Sequence, residues 1–348
     1  METVALCGGI KELSASIHGQ QIPASYAFPP ELRDSGVSNV VQATVPTIDL
    51  QLLRSHSDEE RSEAIRSLGR ACEEWGFFHL IKHGVSESLR QRMMAAGRQF
   101  FELPPPEKLK YTGKHVLDPI RYGTSFNSSV DQVLCWRDYL KVITHPVLNF
   151  PESPPELRSA VEEYSRLLRE IAGELLGGIS ESLGLESPYI EREVQWDKGF
   201  QTVVINFYPR CPQPELALGI PPHSDHGLLT ILAQSGVDGL QVKHDGHWVP
   251  VTPLPGSFLV NVGDHLEILT NGRYKSIEHR AMVNSDKERM SIAAAHGPCL
   301  DTVVSPAEQL LNQGGNPLQY GKMTYREYFE VQQSNQLRGK ACLNIVKV

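Results

Sequence analysis

Apolar residues in the first half of the chain recur at three- and four-residue spacing, whereas beyond about residue 195 they fall into short runs broken by turn residues. The first pattern predicts amphipathic helices and the second predicts strands. Val45 to Leu50 reads as a short strand, and Ser57-Asp58-Glu59-Glu60 fits a capping box whose helix carries Ala64, Ile65, Leu68, Cys72 and Trp75 on one face until Gly76 stops it. Phe77 to Ile81 then reads as a strand, and about Ser86 to Phe101 as a second helix ending before Pro104-Pro105-Pro106. From Leu157 a longer helix aligns Val161, Tyr164, Leu168, Ile171, Leu175 and Ile179, with Gly184 as its stop. Later turn signals include Gly236-Val237-Asp238-Gly239, Pro255-Gly256 and Gly263-Asp264. Asp245-Gly246 and Asn271-Gly272 predict hairpins, because both central positions of a type I′ turn need φ > 0. Tyr325 to Leu337 reads as a closing helix, and residues 1 to about 43, with Pro23, Pro29 and Pro30, as a lead-in without a period.

These patterns divide the chain into an N-terminal extension (1–41), a helical region (42–155), a scaffold helix (156–194), a strand-rich core (195–302) and a helical tail (303–348). With 348 residues, 40% of them hydrophobic and 21% charged, the composition is that of a folded globular protein. The formal net charge of −8 comes without any block of like charge, so neither nucleic acid nor an anionic membrane is an expected partner. No apolar stretch approaches the ~20 residues of a membrane helix, and the short run Val4 to Cys7 is too little for a signal peptide. The cysteines Cys7, Cys72, Cys135, Cys211, Cys299 and Cys342 show no C-x-x-C pairing, which predicts a reduced, cytoplasmic setting rather than a disulfide or zinc framework.

The candidate chemistry lies in the strand-rich half. His223-Ser224-Asp225 puts an imidazole and a carboxylate on one side of an extended segment, and His279 in Ser276-Ile277-Glu278-His279-Arg280 supplies a third ligand. Two histidines and one carboxylate fill one face of a coordination sphere, which suits non-haem iron(II). An isolated H-x-D in a chain with 13 histidines is more often ordinary structure, but further residues shift that balance. Arg289 and Ser291 share a strand face and suit a carboxylate; Tyr208 and Asn206, in Asn206-Phe207-Tyr208-Pro209, share another. Bland readings hold for His244 and His247 at the tip of a hairpin, for His79 and His83 near the core, and for Gly177-Gly178 inside a helix. His226 should face away from both ligands, as a pocket or supporting residue. Serine-hydrolase, P-loop and dinucleotide motifs are absent.

Trp75-Gly76-Phe77-Phe78, His83-Gly84, Asn206-Phe207-Tyr208-Pro209, His223-Ser224-Asp225, Gly263-Asp264, Asn271-Gly272, His279-Arg280 and Arg289-Met290-Ser291 together resemble the plant 2-oxoglutarate-dependent iron(II) dioxygenases. Within that family the chain is most similar to the branch modifying flavonoids, hormones and alkaloids, which includes flavanone 3-hydroxylase-like and salicylate hydroxylase-like enzymes. The resemblance implies an α+β fold, a distorted double-stranded β-helix (jelly roll) with flanking helices. It implies iron(II) on His223, Asp225 and His279, with 2-oxoglutarate held by Arg289 and Ser291, Tyr208 assisting and Asn206 near the metal. It also implies O₂ as co-substrate, support by ascorbate, a small hydrophobic metabolite as substrate, hydroxylation or desaturation of it, and a monomer. Phe126 and Leu134 belong to a segment that in this family lies over the barrel mouth, so they are candidate substrate contacts. Ala295 replaces an aromatic residue that many members carry, which should leave room near the metal. The alternatives are an oxidase of the same fold that does not consume 2-oxoglutarate, and a non-catalytic binding protein.

Overall fold

The computed structural model describes residues 8–17, 21–33, 44–126, 128, 130–314, 317–334 and 339–348. Cys7, the apolar run before it and the last residues of the expected closing helix lie outside the described residues. The lead-in folds because distant residues supply what its own sequence lacks. Helix α1 (Ile10–Ser16) has no side-chain cap of its own, yet the buried Asp138 carboxylate accepts the N–H groups of Ile10 and Lys11 at 2.8 and 2.9 Å. Ile10 and Leu13 then pack with Tyr26, Leu134, Trp136 and Tyr208.

Ser57 caps α2 (Asp58–Arg70), its Oγ accepting the Glu60 N–H at 3.4 Å. Ala64, Leu68 and Cys72 are buried as expected, but Ile65 and Trp75 stay partly exposed. For Trp75 the reason is the π turn at Ala71–Trp75, whose extra residue rotates it off the buried stripe; Ile65 lies before that turn, at the edge of the stripe. Gly76 ends that turn at φ +61°, where a Cβ would collide with the Lys275 carbonyl. Helix α3 (Glu87–Glu102) and the 28-residue α4 (Pro155–Ser182) pack together, α4 burying Leu168, Ile171, Leu175 and Ile179.

Strands β1 (Thr47–Asp49), β2 (Phe77–Ile81), β3 (Ile120–Thr124), β4 (Asp138–His145), β5 (Phe200–Tyr208), β6 (Ile220–His223), β7 (Leu229–Gln234), β8 (Leu240–His244), β9 (His247–Pro250), β10 (Phe258–Val262), β11 (His279–Ala281) and β12 (Arg289–Gly297) form two sheets. The larger runs β1-β2-β10-β7-β12-β5-β4-β3 and the smaller β6-β11-β8-β9, a jelly roll with helices outside it. The strands β3 and β4 lie in a region read as helical. Seven of the eight β4 residues are buried, so both faces are covered and the alternation that marks a half-exposed strand is missing.

Asp245-Gly246 closes the β8–β9 hairpin with φ of +48° and +80°. Asn271-Gly272 does not make a hairpin. It follows the short helix α5 (Asp264–Leu269), where Asn271 and Gly272 at φ +49° and +80° turn the chain out of the helix. The same left-handed backbone serves a helix end as well as a type I′ turn, so the dipeptide alone does not separate them. The closing helix α6 (Tyr325–Ser334) packs beside the cavity inside the barrel, with Gln332 and Gln333 in its wall.

Candidate active site

Antiparallel pairing of β6 with β11 sets His223 directly opposite His279. The ring centroids are 4.2 Å apart. Asp225, two residues past the end of β6, brings Oδ1 to 3.9 Å from His223 Nε2 and 3.7 Å from His279 Nε2. All three ligand atoms lie within 4.8 Å of one another, close enough to hold one metal ion. The tautomers suit that role. His223 Nδ1 is 2.9 Å from the Pro221 carbonyl and His279 Nδ1 is 3.1 Å from the Ile277 carbonyl. Only a protonated Nδ1 makes those contacts, so each Nε2 turns its lone pair to the shared centre. Burial, with His279 alongside, pushes His223 down to about 3, which keeps its imidazole neutral. Burial alone would raise Asp225, but the two neighbouring histidines and the Asn261 Nδ2–H, donated to Oδ2 at 2.8 Å, hold it at about 2. Two imidazoles presenting Nε2 and an ionised carboxylate are a donor set that fits iron(II).

Pairing of β5 with β12 sets out the rest in rows across one sheet face. Thr202 pairs with Ala295, Val204 with Ala293, Asn206 with Ser291 and Tyr208 with Arg289. The Arg289 guanidinium is buried, 5.0 Å from the Tyr208 ring centroid, and donates through Nη2 to Gln234 Oε1 at 2.8 Å. Its Nε and Nη1 are buried without a partner, an arrangement that a carboxylate completes. Asn206 Nδ2 donates to Ser291 Oγ at 3.4 Å, and Asn206 Oδ1 accepts from Arg137 at 3.0 Å.

An open cavity of about 780 Å³, counting its mouth, meets the metal ligands His223 and Asp225. Its walls include Phe126, Val204, Asn206, Ile220, Ala293 and Ala295, together with Arg121, Arg137 and Lys141. Leu134 is not part of this wall; it is buried under the lead-in with Tyr26 and Trp136. His226 does line the cavity, and its Nδ1 lies 2.7 Å from the Tyr325 hydroxyl of α6. Gln332 and Gln333 of the same helix reach the wall. Sequence reasoning missed Arg121, Lys141 and these glutamines, because β3 and β4 carried no periodic signal and nothing local aims a tail helix at a distant cavity. His244 was read as exposed at its hairpin tip, yet it stacks on Trp75 at 3.8 Å between centroids.

Residues 199–298 match the 2OG-Fe(II) oxygenase superfamily, and residues 45–164 match the N-terminal region described as that of a non-haem dioxygenase in morphine synthesis. The 2-oxoglutarate-dependent dioxygenase 19 of Oryza sativa subsp. japonica is 50% identical over 305 residues, 87% of this chain and 90% of that protein. The chain belongs to the 2-oxoglutarate-dependent iron(II) dioxygenases. Flavanone 3-dioxygenase 2 of the same species is 38% identical over 96% of both chains. Among solved structures, JOX2 in complex with 2OG, Fe and JA superposes with a TM-score of 0.88 at 32% identity, covering 98% of this chain and 97% of that one. A dioxygenase of this family uses iron(II) and 2-oxoglutarate, and the protein is an enzyme that oxidises a small molecule. Among the described residues no helix is long and apolar enough to cross a membrane.

Proposed function

We propose that His223, Asp225 and His279 hold the iron(II), that Arg289 and Ser291 bind the distal carboxylate of 2-oxoglutarate beside Tyr208 and Asn206, and that the adjoining cavity takes a small hydrophobic plant metabolite for hydroxylation or desaturation. The observation that carries the co-substrate assignment is Arg289, a buried guanidinium with two unpartnered nitrogens on the strand face shared with the cavity. Relatives named for flavanone 3-dioxygenation and for flavonoid 7-O-demethylation support the substrate class. When bound, iron(II) with 2-oxoglutarate and O₂ supplies the oxidising power, and succinate and CO₂ are released. The chain's own residues do the rest. Pro221 and Ile277 carbonyls orient the two imidazoles, Asn261 orients Asp225, and Phe126 with Ile220 gives the substrate an apolar wall. Ala295 leaves space where a larger side chain would stand. The enzyme works as a cytoplasmic monomer, with ascorbate keeping its iron reduced.

Arg289→Gln tests the assignment. Losing one net charge-assisted bond, about 1.5–3 kcal/mol, lowers 2-oxoglutarate affinity roughly 10- to 150-fold. The apparent KM for 2-oxoglutarate should rise by that factor while the KM for the organic substrate changes little. Equal changes in both would place the co-substrate elsewhere. Asp225→Ala should abolish iron(II) binding measured by titration, and retention of stoichiometric iron would remove the triad. Turnover without succinate would assign the chain to an oxidase chemistry instead.

A further inference from the structure

We propose that Lys141 and Arg121 form a carboxylate-binding subsite in the cavity wall, so that the substrate is a small hydrophobic molecule bearing a carboxylate. This rests on the reading that the cavity admits the organic substrate, and it narrows the class. Arg121 of β3 is the direct cross-strand partner of Lys141 in β4, and Lys141 pairs with Val204, which pairs with Ala293. One row of the sheet therefore carries two adjacent cations and then two apolar residues, all lining the cavity.

Lys141 is not matched by a protein anion, and the one carboxylate near Arg121, Asp118, lies on the exposed side, where it accepts the Lys114 and His115 N–H groups. Lys141 is buried, yet among the described residues its contacts are neutral: Gln333 Oε1 at 3.1 Å, the Val116 carbonyl at 3.5 Å and the Phe329 ring at 4.5 Å. Arg121 Nε and Arg137 Nε, on the same wall, are buried without a partner. An unpaired buried ammonium is costly, and an apolar side chain of similar length would fill the space without that cost. Burial and the Arg121 charge push Lys141 down to about 7, a strain that a nearby carboxylate relieves.

The metal and co-substrate do not use these charges. Iron(II), Asp225, the two carboxylates of 2-oxoglutarate and Arg289 together are neutral in formal charge. Asp225 is the one acidic side chain on the cavity wall among the described residues. Ala293, in the Lys141 row, is four residues along β12 from Arg289, roughly 13 Å at strand rise, so the two cationic positions are separate along the barrel. Phe126, Val204 and Ile220 offer the apolar surface for the remainder of the molecule.

The test is anaerobic equilibrium binding to the iron(II)- and 2-oxoglutarate-loaded protein. The probes are 3-phenylpropanoate, 1-naphthylacetate, cyclohexylacetate and 4-hydroxybenzoate, each beside its own methyl ester. At least one acid should bind wild type at least about ten-fold tighter than its ester, and Lys141→Met should erase that preference by weakening the acid roughly 10- to 150-fold. A role for Lys141 confined to holding α6 through Gln333 would weaken acid and ester alike. Arg121→Met, at a partly exposed position, gives the same readout should Lys141→Met not fold. No acid outbinding its ester, or a preference that survives both substitutions, overturns the subsite. Binding of 2-oxoglutarate to the wild-type protein is measured separately, and its absence would sink the parent reading instead.

Discussion

Ala295 sits in one row with Thr202 on β5 and Thr230 on β7, and both neighbouring side chains are buried. A ring placed there would enter the cavity between them. Ala295→Phe should therefore overpack the site and lower kcat/KM for the native substrate at least about ten-fold, in the range of a 1–3 kcal/mol overpacking cost. The affinity for 2-oxoglutarate should hold, because Arg289 is three rows away on the same face. Steady-state kinetics with wild-type efficiency in the variant would mean that Ala295 does not meet the substrate. At this scale the sequence was legible where local spacing sets direction. His223 and Asp225 flank one residue, and Arg289 and Ser291 alternate on a strand, so their shared faces follow from backbone geometry. Leu134 was legible only as a neighbour of Trp136. The lead-in residues that cover it, from Ile10 to Tyr26, are 108 to 124 residues upstream, and no local spacing reports that contact.

The helix α6 is tied to the metal-binding strand end by side chains rather than by backbone. Tyr328 donates to Asp264 Oδ2 at 2.6 Å, Ser224 donates to the same oxygen at 3.0 Å, and Gln332 Nε2 donates to the Ser224 carbonyl at 2.9 Å. Ser224 lies between His223 and Asp225, so α6 braces the segment that presents two of the three ligands. Burial raises Asp264 to about 7 even with these donors in place. Tyr328→Phe removes one of them from a fully buried carboxyl and should cost about 1–3 kcal/mol of stability. Urea denaturation at neutral pH reads this directly, and a midpoint equal to wild type would show the bond to be dispensable. Periodicity revealed that a helix closes the chain. It could not reveal which cavity the helix borders, because an amphipathic stripe specifies a buried face and not its partner.

For the whole molecule, the unpaired Lys141 predicts a particular pH dependence of stability. Its ammonium is held down at about 7, against an ordinary value of 10.5, by burial and by Arg121, with His226 the other titratable group facing it. Between those values the unfolded chain binds a proton that the folded one does not, so this group's contribution to stability rises with pH across the window. Below about pH 7 the folded protein carries the buried charge and the destabilisation is greatest. Lys141→Met should accordingly raise the melting temperature most below pH 7, with the gain shrinking as pH approaches 10. A gain independent of pH would show that Lys141 is not strained by its surroundings.

The sequence by itself determined the helices with one continuous apolar stripe, the hairpin at Asp245-Gly246, the jelly-roll class and the residues able to ligate iron. The helices, the hairpin and the ligands follow from short-range periodicity, from turns that require φ > 0 and from ligand types at fixed offsets, and the jelly-roll class from the resemblance of the motifs to a known family. Tertiary structure alone decided that β3 and β4 join the large sheet: β4, buried on both faces, loses the alternation that would reveal it, and β3 is defined by its pairing with β4. It decided that Asn271-Gly272 ends a helix, since the same left-handed backbone serves both uses. It also decided that Arg121, Arg137 and Lys141 converge on one cavity, because charge on a side chain shows in a sequence while the absence of a partner shows only once every neighbour is in place.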